Sequence, residues 1–280
     1  MSNYSVEPNE SVLFRTLYED EDVVAIDKPS HLVTQPGLGH EDDTLLNGLF
    51  ARWGDRLQNL GRGRDFGLLH RLDRETSGIL LIALRPRAYD TLRLAFAERS
   101  IAKYYWAVTT GTPSRPSGVI KRPIAEYEAD RRNGKKLARI SSAGKMAVTA
   151  YRIVSASSLG SVLECRAITG RLHQVRVHLE SIGCPISGDG FYGPPRRRST
   201  SRLALHAHRI TFAHPVTGVE VDVTSAWPKD LKGLLTSLKL PRPDLAKPSV
   251  PVASIAVKGS KELDDDGVGD EHPGTGESEG

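Results

Sequence analysis

The segment LLHRLDRETSGILLIAL, residues 68–84, sets a polar run, His70 to Gly78, between two apolar stretches. A loop anchored on both sides by buried chain can hold one side chain at a fixed position and orientation. Asp73 lies in the middle of it, between Arg71 and Arg74. A carboxylate held in this way could add to a carbon or remove a proton. The plainer reading is a turn cap, with Asp73 bonding the backbone near Ser77.

A second set of candidate residues lies in ITGRLHQVRVHLESIGCPISGDGFYG, residues 168–193. Its spacing predicts a helix opening near Gly170 and closing at Gly183, with Leu172, Val175, Leu179 and Ile182 on one face. His173 and Arg176 are three apart and so fall close together on another face. An arginine there could clamp a carboxylate bidentately, which a lysine could not do as well. The alternatives are a solvated basic face, or a metal pair of His173 and His178. Five-residue spacing does not align two ligands on one turn, and no nearby Cys completes a set.

The third is SIAKYYWAVTTG, residues 100–111, which reads as a strand. Tyr104 and Trp106 then share one face while Tyr105 points to the other. Adjacent aromatics are common core filler. At a basic cleft, an aromatic on a strand is also the usual platform for an unstacked base.

The elements that must position these residues mix helices and strands. Val23 to Ile26 and Ile79 to Leu84 read as strands, as do Ile101 to Thr109, Met146 to Val154, Val162 to Ile168, Leu203 to Phe212 and Val219 to Thr224. HPVTG, residues 214–218, makes the last two a hairpin. Leu45, Leu46, Leu49, Phe50 and Trp53 recur at helical spacing behind Asp42-Asp43, which are the expected caps. Pro86 is placed to open a helix carrying Ala88, Leu92, Ala95 and Phe96. Neighbouring runs of strands with a few inserted helices predict an α+β fold with a largely antiparallel mixed sheet, flanking helices and a central active-site cleft.

Composition bounds the partners. The 280 residues carry a net charge of +4, but the last 34 hold three lysines against eight acids. That net −5 leaves +9 on residues 1–246, a basic body compatible with a polyanion. Residues 247–280 contain no aromatic and many Pro, Gly, Ser and acidic residues, so they are expected to form a disordered tail. Residues 1–17 are read as an N-terminal arm and 18–240 as one catalytic domain. No apolar run approaches the roughly 20 residues a spanning helix needs. Two cysteines, Cys165 and Cys184, are too few for a disulfide framework, and a cytoplasmic protein is expected.

Together these segments resemble the RluA-type pseudouridine synthases. The resemblance is carried in order by YEDEDVVAIDKPSHLVTQPG (18–37), HRLDRETSGILL (70–81), AKYYWAV (102–108), GRLHQVRVHL (170–179), GCPISGDGFYG (183–193) and RLALHAHRITFAHPVTG (202–218). It implies that Asp73 is the catalytic aspartate, Arg176 the arginine paired with it, and Tyr105 the tyrosine that stacks on the target base. Leu205 falls where the family places an apolar contact to the base. His70, Arg71, Arg171 and His173 are implied as further substrate contacts. Two positions depart from the pattern: Ser30-His31 follow Pro29 where Gly is usual second, and Leu172 stands where Thr is usual.

The resemblance implies RNA, ribosomal or transfer, as the partner of a monomer, with neither DNA nor a membrane involved. Isomerising uridine exchanges no group or electron with anything outside, so no cofactor and no metal are expected. Too few residues precede the Val23 strand for the small RNA-binding domain several relatives carry, so the catalytic body itself is expected to bind RNA. Candidate contacts are Arg62 and Arg64, the loop run Arg131, Arg132, Lys135 and Lys136, and Arg196 to Arg198. Two rivals remain at this point: a catalytically silent RNA-binding relative, and a hydrolase pairing Asp73 with Glu75 or Asp189.

Overall fold

The computed structural model describes residues 4–130, 135–193, 200 and 202–244. The expected tail, together with Arg131, Arg132 and Arg196 to Arg198, lies outside the described residues. Among the described residues there are eleven strands: β1 (Arg15–Glu19), β2 (Val23–Lys28), β3 (Ser77–Ala83), β4 (Ala102–Thr109), β5 (Ser117–Lys121), β6 (Ile124–Asp130), β7 (Lys135–Ile140), β8 (Val148–Ser157), β9 (Gly160–Ala167), β10 (Leu205–Ala213) and β11 (Glu220–Thr224). Nine of them form one sheet in the order β1-β2-β3-β10-β4-β9-β8-β5, with β11 also on β10, while β6 and β7 pair separately. Helices α1 (Leu45–Leu60), α2 (Pro86–Ala97), α3 (Gln174–Glu180) and α4 (Lys232–Ser237) accompany them.

Every pairing in the large sheet is antiparallel except β3 with β10, which meet only at Ser77–His206 and Gly78–Ala207. The contact is so close that a Cβ on Gly78 would lie 2.2 Å from the Ala207 carbonyl oxygen. The glycine of Thr-Ser-Gly is therefore fixed by packing, and with it the exit of the Asp73 loop into β3. Strand β3 is buried along its whole length, as an apolar Ile-Leu-Leu-Ile run between two neighbours should be. Each such side chain contributes roughly 1.5–3 kcal/mol on burial.

Several expectations shift. Thr44, not Asp42 or Asp43, caps α1, and its backbone N–H donates to Asn47 Oδ1 at 3.1 Å. The helix runs on to Leu60 through a kink at Trp53. Lys135 and Lys136 belong to β7, so they are not loop residues. The charged alternation of β6 and β7 hid a hairpin whose sides both carry polar residues. The boundary expected after residue 17 falls inside β1, and the preceding chain lies along α1. Tyr4 meets the Phe50 ring edge-on at 5.6 Å and the Asn9 N–H donates to the Asn47 carbonyl at 3.0 Å. Asp20, Asp22 and His214 approach one another closely enough to hold a cation. Asp20 already accepts from the Val23 and Asp22 backbone and from Tyr18, and its Oδ2 lies 3.0 Å from His214 Nε2. The cluster locks a turn.

Candidate active site

The Asp73 loop is anchored from three sides. His70 Nε2 accepts the Leu81 N–H at 3.1 Å, covering a stretch of β3 that β10 does not reach. Thr34 Oγ1 donates to the Leu72 carbonyl at 2.9 Å. Lys28, fully buried, donates to the carbonyls of Leu32 at 2.8 Å, Pro29 at 3.0 Å and Arg74 at 3.3 Å. Burial pulls the Lys28 ammonium down to about 7, against the opposing charges of Asp73 and Glu75. His31 takes a left-handed φ of 66° in the Ser30-His31 departure, and its Nδ1 lies 2.8 Å from Glu75. The turn after Asp73 is closed by its own carbonyl, which accepts from Thr76 N–H at 3.0 Å. Its carboxylate, free of the capping duty, points elsewhere.

It points to Arg176. Arg176 Nη1 donates to Asp73 Oδ2 at 3.1 Å. The bidentate grip expected of this arginine falls instead on Asp189, with Nε to Oδ2 at 2.8 Å and Nη2 to Oδ1 at 2.9 Å. Asp189 is itself pinned, accepting the N–H groups of Phe191 and Tyr192 at 2.9 and 3.1 Å. Burial works against the Arg176 charge, yet Asp189 and Asp73 outweigh it and hold the guanidinium above its ordinary value. One carboxylate fixes the arginine, and the arginine orients the other.

Helix α3 begins four residues later than its spacing suggests. His173 is its N-cap, with a left-handed φ of 51°. Gln174 moors the start, donating to Val148 O and Thr149 Oγ1, both at 2.9 Å, and accepting from Thr169 Oγ1 at 2.6 Å. The Ala138 N–H donates to Tyr192 Oη at 2.9 Å, and the same oxygen shares a hydrogen bond with His173 Nδ1 at 2.8 Å. His173 Nε2 lies 3.8 Å from Asp73 Oδ2. Burial lowers the His173 pKa, with the Asp73 charge opposing.

Asp73 opens into a cleft of about 740 Å³. Arg176, Tyr105, Leu205, His70, Arg71, Arg171 and His173 line it as well, so eight of the ten expected site residues converge. Arg62 and Arg64 do not line it. Arg64 grips Asp90 of α2 at 2.9 and 3.0 Å. Tyr105 is buried on the cleft face of β4, while Tyr104 and Trp106 lie near His208 on the other. Burial, and then the charge of Asp73, push the Tyr105 phenol well above its ordinary value, so its hydroxyl stays protonated.

Lining residues that the sequence reading missed are Arg93, Phe96 and Arg99 at the end of α2, Thr76, and Lys103. Lys103 is two positions from Tyr105 and so shares its face, a signal the strand period offered. Its ammonium sits 5.2 Å from the Phe96 ring centroid, and burial lowers it to about 8. Thr76 Oγ1 is buried with no hydrogen-bond partner among the described residues. Arg93, Phe96, Arg99 and Lys103 make part of the lining cationic and aromatic, suited to phosphate and base.

Residues 22–181 match the sequence profile of the RNA pseudouridylate synthase family. The chain is 36% identical over 233 residues to ribosomal large subunit pseudouridine synthase D of Zymomonas mobilis, covering 80% of this chain and 72% of that one. The chain belongs to the RNA pseudouridine synthase family. An uncharacterized RNA pseudouridine synthase of Bacillus subtilis is 35% identical over 222 residues, covering 79% of this chain and 72% of the relative. The solved structure titled human RNA pseudouridylate synthase domain containing 4 aligns with a TM-score of 0.62 at 26% identity, covering 82% of this chain and 95% of that one.

The synthase is therefore an isomerase acting on RNA, built on the α+β fold its strand pattern predicts. Among the described residues, no helix is long and apolar enough to cross a membrane.

Proposed function

We propose that this synthase isomerises a uridine of large-subunit ribosomal RNA to pseudouridine, with Asp73 as the essential catalytic group. The observation that carries the role of Asp73 is its half-held carboxylate: Oδ2 takes Arg176, and Oδ1 accepts no hydrogen bond among the described residues. The ribosomal substrate is carried over from relatives named for the large ribosomal subunit, three of them 35–36% identical.

The target base must first leave its stack, at a cost of a few kcal/mol. Phosphate contacts from Arg71, Arg93, Arg99, Lys103 and Arg171, with stacking on Tyr105, offset that cost. Asp73 then works against the sugar, either adding to C1′ or removing a sugar proton, while the C–N bond breaks. The apolar side of the cleft at Leu205 keeps water from capturing the sugar. The freed uracil turns over and C5 bonds to C1′. The C5 proton must leave last. Because the Tyr105 phenol is protonated at rest, it takes that proton only by passing its own toward Asp73.

The hydrolase reading loses support because Asp189 is committed to Arg176 and Glu75 to His31. A silent RNA-binding relative has no need of a carboxylate oxygen kept open to a cleft. Mapping pseudouridines in cellular RNA with and without the protein tests the proposal. The expected result is one or more large-subunit ribosomal positions that disappear with the gene and return with wild-type protein but not with Asp73→Asn. Loss confined to transfer RNA refutes the substrate, and restoration by Asp73→Asn refutes the catalytic role.

A further inference from the structure

The start of β3, where the Asp73 loop rejoins the sheet, is held by two buried cations. Lys28 stands opposite Gly78 in the β2–β3 pairing and donates to the Arg74 carbonyl at 3.3 Å. The second is Arg202, three residues ahead of β10. Its Nη1 donates to Ser77 Oγ at 3.1 Å and to the Leu203 carbonyl at 3.2 Å. Burial, with a smaller addition from the Arg202 charge, lowers the Lys28 ammonium against Asp73 and Glu75, so the two cations lie within electrostatic reach of each other.

A buried guanidinium persists only where its donors are met. Asp230 meets two of them, accepting from Nε at 2.6 Å and from Nη2 at 3.0 Å. Arg176 is divided in the same way, with Nε and Nη2 on Asp189 and Nη1 left for Asp73. In each case one carboxylate takes the bidentate grip and the remaining nitrogen reaches the loop. Asp230 lies in the short turn Lys229–Leu231, which leads into α4. That segment has apolar anchors of its own, since Leu231, Leu234 and Leu235 are buried and Trp227 lies 5.5 Å from Trp106. Its docking does not require the contact of Arg202 with Ser77.

Ser77 is four residues past Asp73 and directly follows Thr76, whose N–H donates to the Asp73 carbonyl at 3.0 Å. Its Oγ also shares a hydrogen bond with His206 Nδ1 at 2.9 Å, and the same two residues are partners in the short contact of β3 with β10. Ser77 therefore fixes the closing end of the turn that presents Asp73. Arg176 holds the Asp73 carboxylate by one hydrogen bond, so its aim depends on that backbone.

We propose that Arg202 is a positioning residue for Asp73: gripped by Asp230, it fixes the exit of the catalytic loop through Ser77 Oγ. This rests on the catalytic reading of Asp73 above and adds to it a second arginine, one that holds the loop and not the carboxylate.

The test uses the full chain with Ser77→Ala, which removes only the hydroxyl, and with Asp230→Asn, which loosens the grip on Arg202. The substrate is total RNA from cells lacking the gene, which contains the unmodified target whatever its class. Single-turnover pseudouridine formation gives the rate at saturating protein and the protein concentration for half that rate. Hydrogen exchange, read by peptide mass spectrometry, reports the loop in the free protein. A loop displaced by roughly 1 Å can cost about a hundredfold in rate, so the saturated rate of Ser77→Ala should fall roughly 10- to 100-fold. Asp230→Asn should fall less, and the half-saturating concentration should stay at the wild-type value in both. In Ser77→Ala, exchange should quicken in peptides covering residues 70–77 and stay unchanged across β4 and α4. A wild-type saturated rate per folded molecule in either variant overturns the proposal. So does faster exchange spread equally to β4 and α4, which would make the contact a general staple of the fold. Failure of the parent reading shows separately, as turnover by Asp73→Asn.

Discussion

Strand β4 carries a buried carboxylate network on each of its faces, and the two are built to opposite ends. On the face of Trp106, Glu164 is 2% exposed, with Arg152 Nε donating to Oε2 at 2.7 Å and His208 Nε2 3.0 Å from Oε1. Trp106 covers it, stacked on His208 at 3.9 Å. On the face of Tyr105, Asp73 is 25% exposed and held by one oxygen. The same groups, carboxylate, arginine and histidine, appear in both. A carboxylate whose oxygens are both engaged is inert scaffolding, whereas one with an oxygen facing a cleft keeps a lone pair for chemistry. Asp189 makes the difference possible, because it satisfies Arg176 and leaves Asp73 only half engaged.

The comparison breaks most visibly at Asp73. Asp73→Asn is expected to leave no detectable pseudouridine while binding RNA nearly as well as wild type, since phosphate contacts dominate affinity. Its melting temperature should barely move, because Arg176 retains Asp189. Filter binding, product analysis and a thermal melt check the three parts, and measurable turnover by Asp73→Asn removes Asp73 from the mechanism.

Tyr105 comes next. If its hydroxyl relays the C5 proton, Tyr105→Phe should slow the assisted step by about 10²–10⁴-fold. Single-turnover kinetics at saturating protein read this directly. A wild-type rate would leave the ring with stacking alone.

Glu164 should behave in the contrary way. Glu164→Ala strands Arg152 and His208 without their partner, and removal of one member of a buried pair costs about 3–5 kcal/mol. Urea denaturation should show that loss, while activity per folded molecule stays near wild type. A catalytic defect without destabilisation would mean the two faces are coupled.

The smallest effect concerns Lys103. Burial lowers its pKa from 10.5 to about 8, so it is cationic below about pH 8 and loses its charge as pH rises beyond. RNA affinity should therefore weaken between pH 7 and 9. Lys103→Arg, which stays charged, should flatten that profile. Losing the one contact should also reduce the salt dependence of binding by about one phosphate. An unchanged profile in Lys103→Arg would assign the pH effect to another group.

Much of this was legible in the sequence because its signals are local. The polar run between apolar stretches marked the Asp73 loop, strand parity separated Tyr105 from Tyr104 and Trp106, and an apolar Ile-Leu run marked β3. Motif order joined Asp73 to Arg176 across 103 residues. Arg62 and Arg64 fall outside the cleft lining, because local charge says nothing about the direction in which a turn aims it. Arg93 and Arg99 were missed for the same reason, and the β6–β7 hairpin because its strands are too polar to announce a buried face.

By itself the sequence determined the α+β class, the family, and the residue types that meet in the cleft, because periodicity and motif spacing are properties of the chain. Only the tertiary structure decided how Arg176 divides its donors. Asp189 follows Arg176 by 13 residues and Asp73 precedes it by 103, and neither separation states which carboxylate receives two hydrogen bonds and which receives one. That outcome depends on where α3 starts, and its start is set by His173 in a left-handed conformation and by Gln174 moored to β8. Hydrogen-bond geometry varies over tenths of an ångström, and the packing of distant segments, not their spacing along the chain, fixes distances on that scale.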